Sequence, residues 1–122
     1  MSESKADKGL ATIRRLFGDA AGGTAMPDTL RRHTLEHLFG DVWQGEDLAI
    51  EERSLVTCAV LIALAREPEQ RIHFIGARNL GIPRAKIEAL IDHIAHYAGW
   101  PVAVGACRSL EEVWPLEGAP DS

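Results

Sequence analysis

No segment of this chain alternates apolar with polar residues. Its apolar residues instead recur at three- and four-residue intervals, in stretches punctuated by glycine and proline. That punctuation leaves little room for a sheet and predicts an all-α fold of about six helices. Leu10, Ile13, Leu16 and Phe17 form the stripe of a first helix over 7–17, and Gly18 to Thr24 breaks it. Pro27 and Asp28 open a second, with Leu30, Leu35, Leu38 and Phe39, which ends at Gly40. The run from Ile50 to Arg66 carries Leu55, Cys58, Val60, Leu61, Ile62 and Leu64, and such a helix is expected to be buried on most of its circumference. Pro68 suits the first turn of the next helix, which Gly81 closes, and Pro83 opens another with Ile87, Leu90, Ile91 and Ile94. Gly99 and Pro101 make a break and a restart before a last helix to about Val113. Residues 1–8 read as a disordered tail, 9–117 as a single domain, and 118–122 as a frayed end.

At 122 residues the chain can enclose one core. A net charge of −5 with scattered arginines argues against nucleic acid, because neutralising phosphates requires massed Lys and Arg. Any anion bound is therefore expected to be small. The apolar run from Leu55 to Ala65 is too short to span a bilayer, and Met1 to Lys8 has no apolar leader core, so no membrane is expected and the cytoplasm is the default address. Cys58 and Cys107 lie far apart and match no metal or redox spacing.

The chemistry concentrates in 66–73. His73 follows Glu69 by four residues on a short helix, so a carboxylate can hydrogen-bond the imidazole, fix its tautomer and favour its protonated form. This makes an acid/base unit; the alternative is a histidine that only packs helices. Arg71 and Arg78, at i and i+7, share a face and can clamp a carboxylate, or can be solvated surface arginines. Arg53 reads as structural, pairing with Glu51, Glu52 or a neighbouring helix. His93, Tyr97 and Trp100 are candidates for lining a pocket, with core packing at the helix break equally open for the two aromatics. His93 and His96 with Asp92 lack the i,i+4 pair plus carboxylate of helical zinc sites, so no metal is expected. His33 and His37 read as a solvated or intersubunit face, and Cys58 as inert core.

From Phe39 to about Trp114 the sequence resembles the carboxymuconolactone decarboxylase family. The carrying residues are Arg53-Ser54-Leu55-Val56-Thr57, Ala63-Leu64, Arg66-Glu67, Arg71-Ile72-His73, Ala77-Arg78-Asn79-Leu80-Gly81 and Tyr97-Ala98-Gly99-Trp100-Pro101. The wider alkyl hydroperoxidase D-like superfamily also holds peroxidases that use a pair of cysteines ahead of the histidine. Their positions fall here on Arg66 and Glu69, and the upstream relay glutamate falls on Ser54. A disulfide relay needs thiols at those places, so the resemblance implies the decarboxylase branch. It implies a cofactor-free carboxy-lyase acting on an acidic lactone or related small carboxylic acid, as in aromatic catabolism by the β-ketoadipate route. His73 would be general acid/base with Glu69, and Arg71, Arg78, His93, Tyr97 and Trp100 would contact substrate. It also implies a homo-oligomer, hexamer or trimer, with pocket residues possible from two chains. Gln70, His96 and Val104 depart from the decarboxylase pattern near the expected pocket. The alternatives are a peroxiredoxin-like antioxidant, disfavoured without the cysteine pair, or a family member repurposed for another substrate or for binding.

Overall fold

A computed structural model describes residues 3–20 and 24–116. Every regular element among them is helical. Helix α1 spans Lys5–Phe17 and α2 spans Asp28–Arg32. A wider π-helical turn, His33–Phe39, continues α2 to Gly40. Helices α3 (Ile50–Ala63), α4 (Glu67–Asn79), α5 (Arg84–Ala98) and α6 (Trp100–Val113) follow. Short 3₁₀ turns occupy Gly18–Ala20 and Val42–Gln44.

The boundaries follow local chemistry. Ser4 caps α1 by accepting the Asp7 N–H while the Asp7 carboxylate takes the Ser4 N–H, so Lys5 to Lys8 of the expected tail are helical. The expected fray at 118–122 lies outside the described residues. Helix α3 stops three residues before Arg66, where Ala65 takes a left-handed φ of 58° and the Arg66 N–H returns to the Leu61 carbonyl. A β-carbon in that conformation costs about 1–2 kcal/mol. Pro68 sits in the first turn of α4 as expected, and the break between α5 and α6 is made by Gly99 at φ 108°.

The main core lies among α3, α4, α5 and α6, around Cys58, Ile62, Phe74, Ile87, Ile91 and Leu110. Phe74 and Ile87 have no exposed surface, and burial of this kind contributes about 1.5–3 kcal/mol per side chain. A second, smaller core joins α1 to the π turn through Leu16, Phe17 and Phe39. Close approach makes it possible: a β-carbon on Gly9 would stand 1.9 Å from the Leu35 carbonyl oxygen. Gln44 ties the Val42–Gln44 turn to α1 by donating to the Thr12 hydroxyl and the Phe39 carbonyl, each at 2.8 Å.

Within one chain, the burial expected around the run from Ile50 to Arg66 is partial. Helix α3 buries only Ser54, Cys58 and Ile62, while Val56, Val60 and Leu64 form an apolar stripe half or more exposed. Its sequence is apolar all round, but neighbours in this chain cover one side only. None of the described helices is long and apolar enough to cross a membrane.

Candidate active site

Helix α4 sorts its side chains by angle. At about 100° per residue, Arg66, Glu69 and His73 fall within one narrow sector. Arg71 is about 200° from His73, and Arg78 returns to the Arg71 side. The structure shows both consequences. Arg71 Nε donates to Glu112 Oε2 at 2.5 Å, and the Arg78 guanidinium lies 5.7 Å above the Trp114 ring, both where α6 ends. The two arginines share a face as expected. Within one chain, however, that face is the one turned away from His73.

His73 points toward α1. Its imidazole meets the Phe17 ring edge to face, at 5.2 Å between centroids. Gly76 leaves room for this ring, since a β-carbon there would come within 3.4 Å of Phe17 Cε1. Asn79 fastens the end of α1 by donating to the Leu16 carbonyl at 2.7 Å. Phe17 in turn packs edgewise on Phe39 at 6.0 Å, and Phe39 lies 5.5 Å from Trp43. An aromatic row thus runs from the candidate acid/base to a half-buried tryptophan. Behind His73, the Cys58 thiol faces the His73 backbone carbonyl at 3.7 Å.

The Glu69–His73 pair differs from the expectation. Glu69 Oε1 takes the Arg66 Nη2 at 2.5 Å, and Oε2 is out of water with no donor among the described residues. No hydrogen bond joins Glu69 to the imidazole; the two act on each other through charge alone. Arg66 holds the Glu69 carboxyl below the usual carboxylate range, an effect that the removal of water around it opposes. Burial pulls His73 below the ordinary histidine value, and the attraction of Glu69 offsets only part of that. The resting imidazole is therefore biased toward its neutral form, where the i,i+4 spacing alone suggested the protonated one. Arg66 was the missed member of this unit. Its i−3 spacing from Glu69 was the available signal.

The α5 candidates lie apart from His73. His93 stacks on Tyr97 at 5.1 Å, and His96 meets Trp100 edgewise at 5.3 Å while its Nδ1 lies 2.7 Å from the Asp92 carbonyl. Tyr97 is 84% exposed and Trp100 59% exposed, so neither packs in this chain's core. Gln70 is buried, donates to the Leu61 carbonyl at 3.0 Å and leaves its Oε1 unpaired. Val104 is exposed on α6. Two shallow surface depressions among the described residues lie between α5 and α6, around Arg84, Ile91 and Cys107, and beside α1, around Lys8, Thr12 and Gln44. Neither includes His73.

Arg53 has no carboxylate partner among the described residues. Glu51 pairs with Arg15 at 4.0 Å, and Glu52 accepts the Ala49 N–H at 2.7 Å, so both expected partners are committed elsewhere. Arg53 Nη2 donates to the Gly45 carbonyl at 3.1 Å, and its Nε–H is buried without an acceptor. A donor left this way costs about 1–3 kcal/mol.

These features define a class of small all-α proteins carrying a shielded histidine and a carboxylate on one helix face. The chain belongs to the carboxymuconolactone decarboxylase family, whose model matches residues 28–112. It is 42% identical over 76 residues to the 4-carboxymuconolactone decarboxylase of Acinetobacter baylyi, a match covering 62% of this chain and 57% of that enzyme's length. It is 34% identical over 110 residues to the nitrosuccinic acid decarboxylase npaB of Metarhizium robertsii, covering 76% of this chain and 77% of the relative.

Proposed function

We propose that this protein is a cofactor-free carboxy-lyase that removes carbon dioxide from a small acid with His73 as general acid/base. The observation carrying the reading is the Arg66–Glu69–His73 sector of α4 in a chain related to two decarboxylases. The substrate is an acidic lactone or a comparable acid with an electron-withdrawing group beside the departing carboxylate. The bond to that carboxylate breaks, carbon dioxide leaves, and the electron pair moves into the electron-withdrawing group. A proton from the imidazolium of His73 then reaches carbon, and solvent reprotonates the ring. A bound carboxylate raises the proton affinity of the nearby imidazole, so substrate itself recruits the acid form. The apolar rings of Phe17 and Phe39 keep water from competing for the carbanion.

The peroxidase alternative is less well supported. Glu69 and Arg66 stand where a cysteine pair is required, and burial pushes the Cys58 thiol up to about 12, leaving it protonated. We further propose a homo-oligomer, hexamer or trimer, in the cytoplasm. The exposed stripe Val56–Val60–Leu64 and the exposed Tyr97 and Trp100 support it, as surfaces another copy can cover. In such an assembly Arg71, Arg78, His93, Tyr97 and Trp100 would reach substrate across a subunit boundary.

The direct test is an ultraviolet assay of purified protein with 4-carboxymuconolactone, with His73→Ala alongside. Turnover that disappears in the variant supports both the reaction and the acid. Turnover that survives in the variant overturns the role of His73. A folded wild-type protein without turnover shifts the reading to another acid substrate.

A further inference from the structure

Arg66 and His73 stand on either side of one carboxylate. Glu69 lies three residues after the arginine and four before the histidine, so its side chain can reach either. It is shared unequally. Arg66 Nη2 donates to Oε1 at 2.5 Å, whereas no hydrogen bond joins Glu69 to the imidazole and Oε2 has no donor among the described residues. The side chains of Arg66 and Glu69 are 57% and 40% exposed, and an ion pair that exposed is weakly held. Rotation of the Glu69 side chain alone, with α4 unchanged, is enough to exchange one neighbour for the other.

Other charges near α4 are engaged elsewhere. Arg15 of α1 pairs with Glu51 of α3, Glu112 of α6 takes Arg71, and Arg108 lies 4.0 Å from Glu67. Helix α1 meets the imidazole with the apolar ring of Phe17, and α3 meets the His73 backbone with the Cys58 thiol, which burial keeps protonated. Glu69 is the charged group among the described residues whose attraction acts on the ring.

We infer that Arg66 is a positioning residue: it draws the Glu69 carboxylate toward the start of α4 and so withholds it from the His73 imidazole. The histidine thereby keeps a proton it can give up, instead of one locked in an ion pair. For its part in turnover the inference rests on the decarboxylase reading; for the proton affinity of His73 it does not. The main chain at residue 66 is bonded to the Leu61 carbonyl and the Gln70 N–H, so a side-chain substitution leaves the start of α4 intact.

The test is histidine NMR titration of the full-length protein, the His73 signal being assigned by its loss in His73→Gln. In Arg66→Gln the His73 pKa should rise by about 0.5, the scale of an exposed ion pair. Arg66→Lys retains a charge and a donor and should stay near the wild-type value. In a Glu69→Gln background, Arg66→Gln should produce no rise, because the carboxylate through which Arg66 acts is gone. In kcat/KM, Arg66→Gln should move the limb set by His73 to higher pH, opposite to Glu69→Gln. A His73 pKa that is unchanged or lower in Arg66→Gln, a rise of equal size in Arg66→Lys, or a rise that persists in the Glu69→Gln background would overturn the inference. The expected titrations in a protein without decarboxylase turnover would sustain the role of Arg66 and overturn only the reaction.

Discussion

The ring of Phe17 stands edge-on to the imidazole of His73, with their planes at 90°. One aromatic side chain from α1 thereby covers part of the candidate acid/base, and burial of the imidazole as a whole outweighs the pull of Glu69 on the proton. Phe17→Leu thins the cover without removing it. Histidine NMR titration should find the His73 pKa higher in Phe17→Leu than in the wild type; an unchanged value would mean that other groups supply the desolvation. Truncation to Ala is a poorer probe, since opening a cavity of that size costs about 3–5 kcal/mol.

In the turnover assay, His73→Ala should lose about 10²–10⁴-fold in kcat, the range general acid–base catalysis supplies. Glu69→Gln should lose less. Removing the Glu69 charge also takes away the attraction that holds the His73 proton, so the pKa of His73 should fall further. In kcat/KM this appears as an acid-dependent limb displaced to lower pH. Displacement to higher pH would contradict the proposed coupling.

Folding stability should depend on pH through the same histidine. The folded His73 has a pKa below its unfolded value of about 6.5, so the unfolded chain binds more protons across the interval between them. The stabilising contribution is complete above pH about 6.5 and declines as pH falls below it toward the folded value. Glu69 acts at still lower pH: its contribution is present above the unfolded carboxylate value and is lost as pH falls through the depressed folded one. Urea unfolding at pH 7.5 and 5.5 should show lower stability at 5.5, with a smaller difference in His73→Gln. An equal difference in both proteins would assign the effect to other groups.

Two backbone positions give opposite expectations. Ala65→Gly relieves a left-handed φ of 58° and should stabilise the chain by about 1 kcal/mol. Gly9→Ala forces a β-carbon into the Leu35 carbonyl and should destabilise it by about 1–3 kcal/mol or more. Denaturant melts of both variants, run together, check the signs.

The helical frame was legible because glycine and proline sit where the chain turns: Pro68, Gly81 and Gly99 mark observed boundaries. The π turn over His33–Phe39 was not, since its residues satisfy ordinary helical spacing just as well. At the site, sequence spacing correctly put His73 and Glu69 on one face, and it put Arg71 and Arg78 together on another. It could not show that these faces point apart, because the angle matters only once α1 and α6 have taken opposite sides of α4. The part played by Phe17 was equally hidden, being a contact between residues 56 positions apart in the chain. Arg53 keeps a structural contact, with the Gly45 carbonyl, but not the expected pairing with an adjacent glutamate, because Glu52 caps its own helix and Glu51 turns to Arg15.

His73 lies within the stretch matched by the family model, 28–112, whereas Phe17 precedes it. Under the proposed assignment, the acid/base and its aromatic cover are therefore written in separate parts of the chain. Changes in α1 can alter the surroundings of the histidine while the helix that bears it stays as it is, which would offer a simple route by which one scaffold acquires new selectivity.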